Sequence, residues 1–122
     1  MKLEHIALTI SDSDEIENFY RDILEMELEK SFVLNKDLAN KIFNINNDIS
    51  VFLMKKDNLL LELFVAKTDD KKSFNHVCIS VNNRKMLFEK AQKKSYKCIK
   101  IERDKSDLIF VNDKSGNAFE IK

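Results

Sequence analysis

The opening segment Leu3-Glu4-His5-Ile6-Ala7-Leu8-Thr9-Ile10 returns in kind as Phe74-Asn75-His76-Val77-Cys78-Ile79-Ser80-Val81. This alignment sets His5 on His76, Ile6 on Val77, Leu8 on Ile79 and Ile10 on Val81. In both copies apolar residues alternate with smaller or more polar ones, the pattern of a half-buried strand, and both histidines fall on the less apolar face. A second pair of segments closes the two halves. Leu61-Glu62-Leu63 matches Phe119-Glu120-Ile121, each a carboxylate between bulky apolar residues. The repeat constrains the chain to two copies of one supersecondary unit, each contributing one His and one Glu.

The elements between these landmarks follow from spacing. Asp12 followed by Glu15 has the form of a capping box, and Ile16, Phe19, Tyr20, Ile23 and Leu24 recur at helical intervals, which predicts an amphipathic helix of about three turns. Strands are expected near Leu28–Leu34, Ser50–Met54 and Leu59–Ala66, with Lys55-Lys56-Asp57-Asn58 as a hairpin turn and a short helix over Leu38–Ile45. In the second half a strand over Phe74–Val81 leads to a helix over Asn83–Lys93, whose Lys and Glu content reads as a solvated face. Strands over Tyr96–Ile101, Asp107–Val111 and Asn117–Ile121 complete it. The chain therefore reads as α+β, with tandem βαβββ modules over 1–66 and 73–122. The stretch Lys67–Lys72 is too short for a flexible interdomain linker, so 1–122 is expected to be a single domain.

Composition removes several function classes. The 21 basic and 21 acidic side chains cancel, so the chain lacks the positive footprint that phosphate backbones or anionic membranes demand. Its longest near-apolar run, Leu59–Ala66, contains Glu62 and is too short to cross a bilayer. The polar N-terminus carries no export signal, which places the expected location in the cytoplasm. There Cys78 and Cys98 stay reduced and read as small buried hydrophobes. The chain has one glycine and no proline, so Gly116 is expected where the backbone needs freedom that no other residue provides.

Glu62, inside Leu59-Leu60-Leu61-Glu62-Leu63-Phe64-Val65, is costly if buried unpaired, by several kcal/mol. The same holds for Glu120, and two carboxylates facing one space repel unless protonated or bridged by cations. A divalent metal answers both demands. Two imidazole nitrogens and two carboxylate oxygens suit Zn, Ni, Co, Fe or Mn at about 2.0–2.2 Å, whereas Mg and Ca prefer oxygen alone. A plainer reading stays open beside this one. A lone His is commonly a hydrogen-bonded core residue, and each Glu would be harmless pointing outward from an edge strand. Ala7, Thr9, Cys78, Ser80 and Ala118 leave room for a ligand on the same faces, or simply relieve packing.

The chain resembles the vicinal oxygen chelate superfamily, which includes glyoxalase I, fosfomycin and bleomycin resistance proteins, methylmalonyl-CoA epimerase and extradiol dioxygenases. The likeness rests on Leu3-Glu4-His5-Ile6-Ala7-Leu8, on Leu61-Glu62-Leu63-Phe64 and on Asn75-His76-Val77. It includes Asn18-Phe19-Tyr20-Arg21-Asp22-Ile23-Leu24-Glu25-Met26, similar to the family's "FYxxxLGM", although Glu25 replaces the glycine. Asn112-Asp113-Lys114-Ser115-Gly116-Asn117 is similar to its "DPDGN" turn. The resemblance implies paired modules whose curved, mixed sheets form a cup around a metal, with helices outside. It puts the metal ligands at His5, Glu62, His76 and Glu120, a set most similar to that of bacterial glyoxalase I.

The implied activity is that of a metal-dependent lyase or isomerase. The metal polarises a small vicinal-oxygen or carbonyl substrate, with Glu120 as first choice and Glu62 as second for the proton-transferring base. Thr9 and Ala66 stand where glyoxalase I carries its glutathione-contacting arginine and asparagine, so the likeness does not extend to a glutathione pocket. The alternative is a ligand-sequestering or antibiotic-resistance protein of the same fold, bleomycin- or fosfomycin-resistance-like. The resemblance also implies a homodimer.

Overall fold

Each module closes by laying its first strand alongside its last. In the computed structural model, β1 (Ile6–Ile10) runs parallel to β4 (Leu59–Val65), and β3 (Ile49–Lys56) and β2 (Glu27–Leu34) follow antiparallel, giving the order β1-β4-β3-β2. The second module repeats the permutation as β5-β8-β7-β6, from β5 (His76–Ile79), β6 (Lys97–Ile101), β7 (Leu108–Asn112) and β8 (Ala118–Ile121). The α+β class and the tandem βαβββ modules are thus present as two four-stranded mixed sheets. The chain divides into two compact units, Met1–Thr68 and Asp69–Lys122. The structure describes residues 2–67 and 73–122, so most of the expected Lys67–Lys72 connection lies outside the described residues.

In the first unit, alternation sorts the side chains onto two faces. Leu61 and Leu63 of β4 are fully buried, as are Ile10 and Met54, and Leu61 and Leu63 pair in register with Ile6 and Leu8. The segment after β1 winds as a π-helix (Ile16–Arg21), not the regular α-helix that the spacing predicts. Its exit is wide as well: Asp22 and Leu24 donate to the carbonyls five residues back, Glu17 and Phe19. The wider winding still buries Ile16, Phe19, Tyr20, Ile23 and Leu24, so core packing prevails over ideal winding. Asp12 accepts the Asp14 N–H, an Asx turn where a capping box is expected.

The opposite face of this sheet carries α1 (Lys36–Phe43), close to the short helix expected over Leu38–Ile45. Asn35 caps it by accepting the Leu38 N–H, and Asn44 ends it in the left-handed conformation. Ala39 seats on Ile49 and Val51, with Leu34, Leu53 and Phe64 packed around them. In the second unit, α2 (Arg84–Lys93) is capped by Asn83 and packs on β6 and β7. β1 and β5 start later than expected, at Ile6 and His76, leaving Leu3 and Phe74 exposed.

Two turns test the backbone argument. Between β7 and β8, Gly116 adopts φ +89°, as the single glycine predicts, and an added Cβ would meet nothing within 4 Å. The turn is held by buried Asp113, whose Oδ1 accepts from Ser115 N and Asn117 N and whose Oδ2 accepts from Asn117 Nδ2. Asp113→Ala therefore leaves three donors to find new partners, and we expect a loss of about 2–3 kcal/mol in chemical denaturation. Glu25 is the contrary case, a side-chain-bearing residue at φ 56°. Lys56 Nζ bridges the Leu24 carbonyl and the Glu25 carboxylate, and only the second of these contacts needs the Glu25 side chain. Relief of left-handed strain should outweigh that exposed ion pair, so Glu25→Gly is expected to stabilise by about 0.5–1 kcal/mol, read as a higher Tm.

Candidate metal centre

The parallel pairing of β1 with β4 brings His5 to Glu62. Ala7 and Glu62 are register partners, and His5, two residues before Ala7, places Nε2 3.2 Å from Glu62 Oε2. The second unit repeats the construction: Cys78 partners Glu120, and His76 Nε2 lies 3.4 Å from Glu120 Oε2. Both carboxylates are largely enclosed, with 18% and 15% of the side chain exposed, while their flanking residues Leu61, Leu63, Phe119 and Ile121 turn to the buried face. The period-2 reading of the strands therefore holds at both sites. Of the four candidate ligands, the structure brings together His5 with Glu62 and His76 with Glu120. Among the described residues, neither unit gathers three or more His, Cys, Asp or Glu side chains into a metal-holding group.

Hydrogen bonding orients one of the imidazoles. His76 Nδ1 lies 2.9 Å from the Phe74 carbonyl, which only accepts, so Nδ1 carries the proton. Phe110 meets the His76 ring edge-on at 5.5 Å between centroids. Nε2 is thereby aimed at Glu120 Oε2, and the two Lewis-basic atoms face each other across a gap that a proton or a metal cation must fill. The 3.2 and 3.4 Å separations admit both. Adjacent ligands of one ion with bonds of about 2.1 Å stand roughly 3.0–3.4 Å apart.

The surroundings of the two pairs differ. Around Glu62 the same face presents Ala7, Leu53 and Phe64, and Phe43 from α1 meets Phe64 edge-on at 5.6 Å between ring centroids. Beside Glu120 stand Phe110 and Cys78 in register and Lys122, whose Nζ is 3.6 Å from Glu120 Oε1. Phe43, Phe110 and Lys122 were not among the residues singled out from sequence. Lys122 and Phe64 share one signal, position i+2 from the carboxylate, whereas Phe43 depends on how α1 folds back.

With the fold and the pairs defined, comparison with known proteins gives the class. The chain belongs to the glyoxalase/bleomycin resistance protein/dioxygenase superfamily, whose family model matches residues 2–121. Among solved structures it is similar to a glyoxalase family protein from Bacillus cereus, at 12% identity over 99% of this chain and 92% of that one, with a TM-score of 0.80. It is also similar to the genomically encoded fosfomycin resistance protein FosX from Listeria monocytogenes complexed with Mn(II) and sulfate. That likeness spans 98% of this chain and 89% of the other at 15% identity, with a TM-score of 0.71. A glyoxalase family protein from Enterococcus faecalis matches over 98% and 95% at 16% identity and a TM-score of 0.69. These likenesses establish the fold. No curated protein sequence gives a significant match. Among the described residues, no helix is long and apolar enough to cross a membrane.

The cysteines require a correction. Expected as buried hydrophobes, they divide: Cys78 is exposed on the His76 side of β5, while Cys98, register partner of fully buried Val111, is half-buried. Exposure of Cys78 follows from strand parity, since it sits two residues from an outward-facing histidine. Burial pushes the Cys98 thiol above its ordinary range. Its thiolate fraction at neutral pH is reduced, and it rises only under more alkaline conditions. Alkylation followed by peptide mass spectrometry should label Cys78 at least about tenfold faster than Cys98 at pH 7, with the gap narrowing as pH rises.

Proposed function

We propose that the chain is a divalent-metal enzyme of glyoxalase-like type, acting on a small substrate with two adjacent oxygens. His5 and Glu62 in one unit, and His76 and Glu120 in the other, are its metal ligands. The observation that carries this reading is the repeated approach of an imidazole Nε2 to a carboxylate oxygen at 3.2 and 3.4 Å, at equivalent places in both modules. A structural histidine gains nothing from being duplicated with its carboxylate on the ligand-accessible face of each sheet. Borderline nitrogen and oxygen donors suit Ni, Co, Zn, Mn or Fe. FosX, with the same fold, is known complexed with Mn(II).

When bound, the ion supplies Lewis acidity toward the two substrate oxygens. The chain's own residues do the rest. Glu120 is our first choice to move a proton between adjacent carbons: Oε2 faces His76, while Oε1 keeps Lys122 within 3.6 Å, so the carboxylate has a cation beside it after it leaves the imidazole. Glu62 is the second choice. The register partners of the two carboxylates, Ala7 and Cys78, are both small side chains. Thr9 and Ala66 offer no counterpart to glyoxalase I's glutathione contacts, so the substrate is not assigned as a glutathione adduct. The proposal treats 1–122 as one cytoplasmic domain that acts as a homodimer.

A second reading is supported by Lys122. A cation beside Glu120 would meet an anionic substituent, and FosX is a fosfomycin resistance protein whose structure has also been solved with a dihydroxypropylphosphonic acid. Screening metal-loaded protein against thiohemiacetals and against an epoxide phosphonate separates the two. Before that, elemental analysis after chelation and reloading should find one ion per chain. His5→Ala and His76→Ala should each weaken its binding more than about 100-fold with circular dichroism unchanged, because outer-shell changes alone cost 10–100-fold. Stoichiometric metal retained in both variants would sink the proposal.

A further inference from the structure

We propose that Phe43, Phe64 and Leu53 form an apolar wall that receives an aromatic or bulky aliphatic substituent of the ligand held at the His5–Glu62 pair. The assignment rests on the metal reading above and narrows its substrate class. Three placements converge on it. Phe64 follows Glu62 by two residues on β4 and so shares its face, and Leu53 on β3 is the register partner of Glu62 itself. Helix α1 then brings Phe43 edge-on to Phe64, while Ala39 anchors the helix on Ile49 and Val51. The wall is therefore continuous with the carboxylate, one strand position away from it.

The wall offers more apolar surface than its own packing consumes. Phe43 remains 52% exposed although it touches Phe64, and Leu38 and Ile42 of the same helix are 46% and 61% exposed. Two cations share this face of the sheet, and both have neighbours of their own: Lys30 lies over the Phe32 ring and Lys55 pairs with Glu29. Ala7, the register partner of Glu62 on β1, is too small to fill the space on its side. A ligand chelated beside Glu62 thus finds room toward β1 and an apolar, largely aromatic surface toward α1. The second module keeps one ring at the equivalent place, Phe110 in register with Glu120, but has no helix packed behind it. Between β6 and β7 it has the charged stretch Glu102-Arg103-Asp104-Lys105-Ser106-Asp107 where the first module has α1. The inserted helix therefore sets the preference of one His–Glu pair alone.

Hydroxamates test this directly, because they chelate a divalent ion through two adjacent oxygens and differ only in the substituent. Calorimetry on Mn(II)-loaded protein would compare acetohydroxamate with benzohydroxamate, each corrected for its affinity for free Mn(II). Wild type should prefer the phenyl compound by about tenfold or more, the scale of one buried ring with an edge contact. Phe43→Ala and Phe64→Ala should reduce that preference to within about twofold, with acetohydroxamate and Mn(II) binding unchanged. Phe43→Leu, which keeps an apolar side chain on an exposed position, should retain most of it. Metal-dependent binding of both compounds with no phenyl preference, or with the same preference in both alanine variants, overturns the wall while leaving the metal reading standing. No metal-dependent binding of either compound overturns the metal reading and the wall with it.

Discussion

Parallel pairing of the first and last strands of each module is the constraint on which the rest depends. A parallel pair cannot be closed by a tight turn, so the chain between β1 and β4 has to travel away and return. It does so through a helix and two antiparallel strands, a route the second module shares, with α1 added between the two strands in the first. The pairing sets side chains from opposite ends of a module on one face in fixed register, Ala7 with Glu62 and Cys78 with Glu120. His5 and His76 then reach their carboxylates from the same offset. A slip of one residue in either pairing would turn Glu62 or Glu120 toward the core and bring Leu61 or Phe119 out.

That register also explains how a carboxylate survives in the most apolar segment of the chain. Its neighbours Leu61 and Leu63 face the buried side, and Glu62 faces the side where an imidazole stands. Replacing a half-buried carboxylate by an aliphatic residue is commonly neutral or favourable for stability, so two such carboxylates in equivalent strands are poorly explained by stability alone.

Much of this was legible from alternation because alternation is a local property. The strand faces follow from residues close in sequence, the placing of one His and one Glu in each half from the likeness of the two halves, and the need for glycine at position 116 from its being the only one in the chain. What escaped depends on partners far away. Asp12 and Glu15 have the spacing of a capping box, yet the segment after them winds as a π-helix that buries Phe19 and Tyr20 together. Residue type alone suggests a buried Cys78, whereas strand parity, two residues after His76, sets it on the exposed face. Glu25 stands in a left-handed position where the resemblance leads one to expect glycine, and Lys56, from a strand far along the chain, is what holds it. The ring contact of Phe43 with Phe64 required knowing that α1 folds back across its own sheet.

Duplication supplies the final step. Both modules inherit the strand order and the parallel register, because both are needed to place an imidazole against a carboxylate. Nothing in that requirement specifies the residues around the pair. In the first module the strand position after the carboxylate is Phe64 and an inserted helix adds Phe43. In the second the corresponding strand position is Lys122, and Phe110 flanks the histidine. One pair sits beside Phe64 and Phe43, the other beside Phe110 and the Lys122 ammonium. Backbone geometry common to both halves therefore sets each imidazole against its carboxylate, while side chains free to diverge set the chemical surroundings of each pair.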